Sequence, residues 1–219
     1  MVLYEQVRPK TWAELVGNDK VKALVQSLKA RDALWGQSFW ITGKSGTGKT
    51  CISYLLAREI ADDIAIQETH AESLTPAKLE ELTGKWCMSS LFGLGGHVLI
   101  ISEAQGLRKD TVRALLVFME KMARFQIASG RAMIIFTTTR EGEKNLFDEE
   151  INAHPLLSRC IEIKAQFQGI NPIFAAHCKA IAEKVGLDGK PLAAYQLLAE
   201  SCKGNMREML EKIEAGVML

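Results

Sequence analysis

The sequence predicts an α/β fold in which a parallel sheet flanked by helices is followed by a small all-helical unit. Three observations indicate this. Short apolar runs alternate with segments of helical periodicity over most of the chain. A glycine-rich loop joins one apolar run directly to a helical segment. After residue 168 the apolar residues follow a helical period punctuated by glycines, so a second unit of helices is expected there.

Five segments have the composition of short strands. Several of them are almost continuously apolar, as strands buried on both faces of a parallel sheet are. The last segment is only partly apolar and is predicted to be an edge strand. The predicted strands span residues 38–42, 65–69, 97–101, 132–137 and 161–164.

Helical periodicity and end signals place the helices. Asn18 is the predicted N-cap of the first helix, Pro76 is expected in the first turn of another, and Gly84 at its far end. We therefore predict two domains, residues 1–168 and residues 169–219. The predicted helices span residues 18–31, 49–60, 76–84, 108–125, 172–185, 191–203 and 205–215.

Bulk composition excludes several classes of protein. Apolar residues make up 47% of 219 residues, so a packed core is expected, and no apolar run reaches the length of a membrane span. The N-terminus lacks a secretory pattern, so we expect a cytoplasmic or nuclear protein that is not secreted. The five cysteines form no CxxC pair and are interpreted as small core residues. A net charge of +1 means that any DNA binding needs a local basic patch or several subunits.

Residues 43–50 fit the phosphate-binding P-loop pattern G-x-x-x-x-G-K-[ST] at every fixed position. Glycines let successive backbone N–H groups point at phosphate oxygens, and the following helix adds its positive end. The lysine is expected to reach the β- and γ-phosphates and the last hydroxyl to bind Mg²⁺. The predicted nucleotide-binding residues of this segment are Gly43, Lys44, Ser45, Gly46, Thr47, Gly48, Lys49, Thr50 and Cys51.

A P-loop ATPase also needs acidic residues at the end of a neighbouring strand. The strand at 97–101 runs into Ser102 and Glu103, where most such enzymes have Asp-Glu. Glu103 is expected to polarise the attacking water. Ser102 would hold magnesium weakly or through a water, so that either hydrolysis is slow or another carboxylate compensates. The plainer interpretation, that Glu103 is a surface residue, stays open.

The order of motifs resembles the sliding-clamp-loader branch of the AAA+ ATPases, in particular the small subunit of replication factor C and the bacterial clamp-loader ATPase subunit. Residues 4–12 and 15–17 resemble the segment that wraps adenine in that family, and residues 158–160 reproduce its Ser-Arg-Cys motif. Residues 204–207 look like its Gly-x-x-Arg motif at the start of a lid helix. The resemblance extends from Tyr4 to Ile213.

This resemblance implies ATP/ADP and Mg²⁺ as ligands and assigns roles to single residues. Thr139 falls at the family's sensor 1, which monitors the γ-phosphate. Arg159 would be an arginine finger directed into the neighbouring subunit, and Arg207 would reach the γ-phosphate of its own. The implied adenine pocket is Arg8, Pro9, Val16 and Met206. The implied catalytic set is Lys49, Glu103, Thr139, Arg159 and Arg207, and the implied metal set is Thr50, Ser102 and Glu103.

The resemblance also implies partners. Family members act as rings or spirals of identical or different AAA+ subunits, which hold a sliding clamp and primer–template DNA. Candidate DNA contacts are Lys78, Lys85, Arg108 and Lys109, although ordinary solvated side chains explain them equally well. Clamp-loader subunits typically carry a helical collar of about a hundred residues. This sequence stops after the lid, so either a collar has been removed or assembly uses the ATPase modules alone.

Two alternatives remain at the level of the sequence. One is a helicase loader, transposition regulator or other DNA-coating ATPase, which the missing collar favours and the Ser-Arg-Cys motif disfavours. The other is a nucleotide-binding scaffold subunit with little hydrolysis. Ser102 favours that scaffold, whereas intact Lys49, Thr50 and Glu103 count against it.

Overall fold

The computed structural model of the chain describes residues 2–87, 94–124, 126–127, 131–139, 154–166 and 168–219. The helices are α1 (Leu3–Gln6), α2 (Asp19–Ala30), α3 (Lys49–Ala57), α4 (Pro76–Trp86), α5 (Lys109–Ala123), α6 (His154–Leu157), α7 (Asn171–Val185), α8 (Leu192–Ser201) and α9 (Met206–Glu214). The strands are β1 (Ser38–Thr42), β2 (Ile66–His70), β3 (His97–Ser102), β4 (Ala132–Thr138) and β5 (Ile161–Lys164).

The five strands form one sheet in the order β2-β3-β4-β1-β5, and every neighbouring pair is parallel. The predicted α/β class is confirmed, and β5 lies at an edge as expected. Because the strands are parallel, their carboxyl ends share one edge of the sheet. That edge carries the P-loop after β1, Ser102 and Glu103 at the end of β3, and the threonines at the end of β4. Ligands of open parallel sheets bind at this kind of edge.

Alternation along the strands divides the core into two layers. In β1, Trp40 packs with the helices α4 and α5, whereas Phe39 and Ile41 pack with α2 and α3 on the other face. β3 and β4 alternate in the same way, and their side chains from Val98 to Ile101 and from Met133 to Phe136 are at most 1% exposed. A sheet covered on both faces in this way holds the site residues at its edge rigidly.

A third core lies among the C-terminal helices α7, α8 and α9. It includes Leu3 from the other end of the sequence, and both carboxylate oxygens of Glu214 lie 3.2 Å from the backbone N–H donor of Leu3. The helical C-terminal region is therefore confirmed. Helix α1 packs into the core of this region although it belongs to the predicted first domain. The predicted boundary between two domains at residues 168 and 169 therefore stays a prediction.

Asn18 occupies the expected N-cap position, but its side chain makes no capping hydrogen bond. Its Oδ1 instead accepts the backbone N–H of Gln166 at 2.6 Å, while its own N–H donates to the Gln166 side chain at 2.8 Å. The prediction of a capping side chain was wrong because the Asn18 side-chain oxygen accepts a hydrogen bond from Gln166 instead of one from the first turn of α2. The pair fixes the start of α2 to the segment that follows β5.

Other local expectations also need correction. Helix α4 continues through Gly84 to Trp86, which is 1% exposed and anchors the last turn in the core. Cys87 is exposed, so the expectation that every cysteine is a core residue was wrong there, whereas Cys178 and Cys202 are buried. The predicted last residue of the helix after Arg108, Phe125, lies outside the described residues; the helix ends at Ala123.

Candidate functional site

A cavity of about 420 Å³ lies where the carboxyl edge of the sheet faces α1 and the C-terminal helices. Its volume is in the range of about 300–1,000 Å³ that is typical of small-molecule sites. The sequence-predicted residues that line it are Arg8, Pro9, Val16, Ser45, Gly46, Thr47, Gly48, Lys49, Thr50, Cys51, Ser102, Glu103, Thr139, Met206 and Arg207. Segments distant in the sequence therefore meet at one place.

The P-loop connects β1 to α3 as its motif predicts. Gly48 is the N-cap of α3 with φ of 91°, a conformation that side chains rarely adopt, and no side chain caps this helix end. The first-turn N–H groups of an α-helix have no partner within the helix, and the helix dipole favours negative charge at that end. This helix terminus suits a phosphate.

Lys49 lies across the mouth of the loop. Its Nζ donates to the carbonyl oxygens of Gly43 at 2.7 Å and Lys44 at 2.8 Å. Thr47 Oγ1 donates to the same Lys44 carbonyl at 2.8 Å. Gly43 and Lys44 do not line the cavity, but their carbonyl oxygens hold Lys49, and their contact with a nucleotide stays a prediction. Burial raises the pKa of the Cys51 thiol, which makes it a neutral wall of the site rather than a nucleophile.

The C-terminal helices contact the P-loop directly. Gly46 has φ of 75°, and a Cβ at this position would overlap the side chain of Asn205. Met206 N–H donates to the carbonyl of Gly46 at 3.3 Å, and Asn205 caps α9 by accepting the N–H of Glu208 at 3.3 Å. The phosphate-binding loop and the start of α9 are therefore in direct contact, so a movement of the loop would displace the start of α9.

Glu103 follows β3 with φ of 55° and ψ of 50°, in the left-handed region that non-glycine residues rarely occupy. Such backbone conformations cost of order 1–3 kcal/mol and concentrate at functional sites. The Glu103 carboxylate accepts hydrogen bonds from Gln105 at 2.6 Å and from Thr139 at 3.4 Å. The Thr138 hydroxyl in turn donates to Oε1, the side-chain amide oxygen of Gln105, at 2.6 Å. The end of β4 and the catalytic candidate thus form one network.

The other half of the cavity is largely apolar and contains two arginines. Arg207 places its guanidinium 5.3 Å from the centre of the Tyr4 ring, a cation–π contact. Arg8 pairs with Glu5 at 3.1 Å. Apolar walls with a few fixed cations suit a flat heterocycle joined to phosphates. The apolar lining consists of Val7, Pro9, Leu15, Val16, Phe174, Ile181, Met206 and Leu210.

Several lining residues were not predicted from the sequence. Phe174, His177 and Ile181 recur at helical spacing on α7, which indicates a buried face but not what covers it. Burial lowers the pKa of His177, which keeps the ring neutral at pH 7. Glu68 and His70 line the cavity from β2, a strand for which the motifs gave no role. Asn18, Thr137 and Leu210 complete the unpredicted lining, whereas Tyr4, Val7 and Leu15 lie in the segments 4–12 and 15–17 that resemble the family's adenine-wrapping segment.

Arg159 lies outside the cavity. It follows α6, where its guanidinium donates to the carbonyl of Pro155 at 2.8 Å and lies 3.5 Å from Glu120. The next residue, Cys160, packs against the core, and burial raises the pKa of its thiol to about 12. The partly buried cysteine thus anchors the turn that carries Arg159, whose side chain is 43% exposed.

The four candidate DNA contacts are all exposed. Thr111 Oγ1 donates to the carbonyl of Leu74 at 3.2 Å, so the first turns of α4 and α5 are neighbours. Lys78, Arg108 and Lys109 consequently lie at one end of this helix pair. Lys85 lies in the last turn of α4, where it pairs with Glu81 at 2.6 Å. Three of the four cations are therefore grouped, and their contact with DNA stays a prediction.

Comparison with known families decides the class of this site. Residues 39–165, more than half of the chain, match the model of the ATPase family associated with various cellular activities (AAA). The chain belongs to the AAA family. This assignment accounts for the P-loop between β1 and α3 and makes this AAA protein an ATPase by family.

Individual relatives confirm the resemblance to clamp-loader proteins. The replication factor C large subunit of Pyrobaculum arsenaticum is 28% identical over 122 residues, covering 47% of this chain and 29% of the relative. The replication factor C large subunit of Pyrobaculum islandicum is 26% identical over 136 residues, covering 53% of this chain and 32% of the relative. The chain thus spans about a third of the length of these curated relatives.

The fold of this AAA protein is similar to that of Thermotoga maritima RuvB, a Holliday junction branch migration motor. The TM-score is 0.72 at 22% sequence identity, and the match covers 95% of this chain and 64% of that chain. The similarity extends through the C-terminal helices as well as the sheet. Across the residues that the structure describes, no helix is both long and apolar enough to traverse a bilayer.

Proposed function

We propose that this AAA protein is an ATP-driven subunit of a clamp-loader-like assembly, in which ATP binding and hydrolysis control a grip on DNA and on a sliding clamp. The observation that supports this most is the composition of the cavity. It combines the P-loop, the acidic end of β3, the polar end of β4 and the arginine of α9. A switch needs these parts together, because the same phosphate must be bound, hydrolysed and sensed.

The residues of the site suggest a division of work. ATP would place its adenine among the apolar residues of α1 and α7 and its phosphates at the start of α3. Glu103, held by Gln105 and Thr139, would orient and polarise the attacking water. Thr50, Ser102 and Glu103 would lie around Mg²⁺, which when bound offsets the charge of the phosphates. All three line the cavity together with Lys49.

Arg207 would connect ATP binding to a movement of α9. Its guanidinium lies against Tyr4, and the backbone of neighbouring Met206 bonds to Gly46 of the P-loop. A γ-phosphate would compete for this arginine more strongly than an aromatic ring does, because a charge-assisted hydrogen bond replaces a cation–π contact. ATP binding would therefore shift α9 and, with it, the third core to which α1 belongs.

Assembly is proposed to complete the site. Arg159 does not line the cavity of its own chain, which suits a residue that acts on the nucleotide of a neighbouring subunit. A ring or spiral of like or unlike subunits would supply that neighbour. It would also bring the cations near the starts of α4 and α5 from several subunits around primer–template DNA. A clamp-loading role would require the protein to be inside the cell, with the DNA.

A second candidate function is a nucleotide-binding scaffold subunit. Ser102 favours it, because a hydroxyl is a weaker ligand for Mg²⁺ than the carboxylate that most P-loop ATPases have there. In that role ATP would hold the assembly together with little turnover. Lys49, Thr50 and Glu103 all remain in the cavity and favour the ATPase proposal instead.

The proposal is tested by co-purification with the sliding clamp of the same source. We expect the chain to retain the clamp with a non-hydrolysable ATP analogue and to release it with ADP. Lys49→Ala should abolish both analogue binding and clamp retention, because the phosphates lose their principal cation. Lys121→Ala, which removes an exposed lysine in the last turn of α5, is the matched control and should behave like the parent.

Nucleotide-independent retention of the clamp, or none under any condition, would contradict clamp loading. In the second case, binding to primed DNA that responds to nucleotide would support the alternative of a DNA-coating ATPase.

A further inference from the structure

We propose that Glu68 of β2 supplies the carboxylate that Ser102 lacks, so that the acidic function normally held on the third strand has moved to the adjacent strand. The inference rests on the proposed function and concerns its metal site. Ser102 stands where most P-loop ATPases have an aspartate. A relocated carboxylate would let the chain keep Mg²⁺-dependent ATP chemistry despite this substitution.

Strand pairing places Glu68 close to the altered position. β2 pairs in parallel with β3, and His70 is the direct partner of Ser102. Glu68 precedes His70 by two residues, so its side chain leaves the same face of the sheet. A glutamate is one methylene longer than an aspartate and leans along the strand. From this register its carboxylate reaches the side chain of Ser102.

Hydrogen bonds show that the Glu68 carboxylate contacts the Ser102 side chain. The hydroxyl of Ser102 donates to Oε1 of Glu68, and the hydroxyl of Tyr54 donates to Oε2 at 2.8 Å. Each carboxylate oxygen thus has a donor that fixes its direction.

The same carboxylate faces the site. Glu68 lines the cavity with Thr50, Ser102 and Glu103 and is exposed rather than sealed in the core. Among the described parts of the chain, no group of three or more His, Cys, Asp or Glu side chains could hold a metal by itself. A magnesium that keeps several waters and is bound chiefly by phosphates fits such a site. Glu68 and Ser102 together would accept hydrogen bonds from those waters.

Metal affinity tests the assignment without reference to turnover. The chain is saturated with a non-hydrolysable ATP analogue, and Mn²⁺ is titrated as a spectroscopic substitute for Mg²⁺ by electron paramagnetic resonance. We expect Glu68→Gln to weaken Mn²⁺ binding by about 10–100-fold, the usual cost of losing an outer-sphere partner of a metal. Glu81→Gln, an exposed glutamate on α4, is the matched control and should match the parent.

A rescue variant separates loss of the carboxylate from loss of structure. Glu68→Gln combined with Ser102→Asp returns a carboxylate to the third strand, and we expect it to recover most of the Mn²⁺ affinity. Unchanged affinity in Glu68→Gln, or no recovery in the double variant, would overturn the assignment while leaving ATP binding by the parent intact. A parent chain that does not bind the analogue at all would overturn the proposed function and this inference with it.

Discussion

At the scale of single residues, the acidic end of β3 combines a left-handed backbone conformation with a fixed set of hydrogen bonds. Glu103 adopts a left-handed backbone conformation, and its carboxylate is held by Gln105 and Thr139. The side-chain amide of Gln105 bridges Thr138 and Glu103. Such a network positions a carboxylate more narrowly than a single contact would. It supports the proposal that Glu103 polarises the attacking water, and it suggests a positioning role for Gln105 that its sequence context did not reveal.

Replacing Glu103 with glutamine should separate binding from hydrolysis. Gln cannot accept a proton from water, so we expect ATP turnover to fall by about 10²–10⁴-fold. ATP affinity should change little, because the P-loop contacts remain. Glu211→Gln, an exposed glutamate on α9, is the control. Steady-state turnover and equilibrium titration with ATP measure the two properties, and a variant that hydrolyses ATP at the parent rate would exclude Glu103 as the base.

At the scale of elements, strands and the P-loop were predictable because their signals are local. Buried parallel strands are continuous apolar runs, and the P-loop motif specifies its own strand, turn and helix. Local sequence patterns do not reveal which distant segments pair with each other. Glu68 became relevant only through its register beside β3, and Asn18 lost its capping role to Gln166. The residues around the P-loop could therefore be predicted from the sequence. Much of the cavity lining from α1 and α7 could not.

The C-terminal helices are joined by a polar cluster at the turn between α7 and α8. Asp188 accepts hydrogen bonds from Lys179 at 2.7 Å and Tyr195 at 2.8 Å. Lys179 also lies 5.6 Å from the centre of the Tyr195 ring. The hydrogen bonds from Lys179 and then Tyr195 lower the pKa of Asp188 below its usual 3.8. The ionised carboxylate therefore stabilises the folded state.

We expect Asp188→Asn to lower the melting temperature by a few degrees at pH 7. Because the pKa of Asp188 is lowered on folding, its contribution is present above pH 3.8 and is lost as the pH falls further. The difference between parent and variant should therefore shrink below that pH. Glu200→Gln on the exposed side of α8 is the control, and calorimetry from pH 7 to pH 3 makes the comparison. A difference that grows on acidification would contradict this sign.

At the scale of the whole molecule, the candidate nucleotide site and the C-terminal helices are in direct contact. The cavity is bounded by the sheet edge, by α1 and by α7 and α9, and α1 packs on α9. A net charge of +1 provides little long-range attraction to DNA, so any grip on it would come from several subunits acting together. The exposed Arg159 fits the same picture, since it does not line the cavity described above. The central claim is therefore that the active site is completed between subunits.

The steady-state ATPase rate per chain, measured across protein concentration with and without primer–template DNA, tests this claim most directly. We expect the rate to rise with concentration and to increase when primed DNA is added. Arg159→Ala should bind ATP normally yet lose about 10³-fold of the assembled rate, the scale of a missing arginine finger. A rate per chain that is independent of concentration, of DNA and of Arg159 would contradict the account.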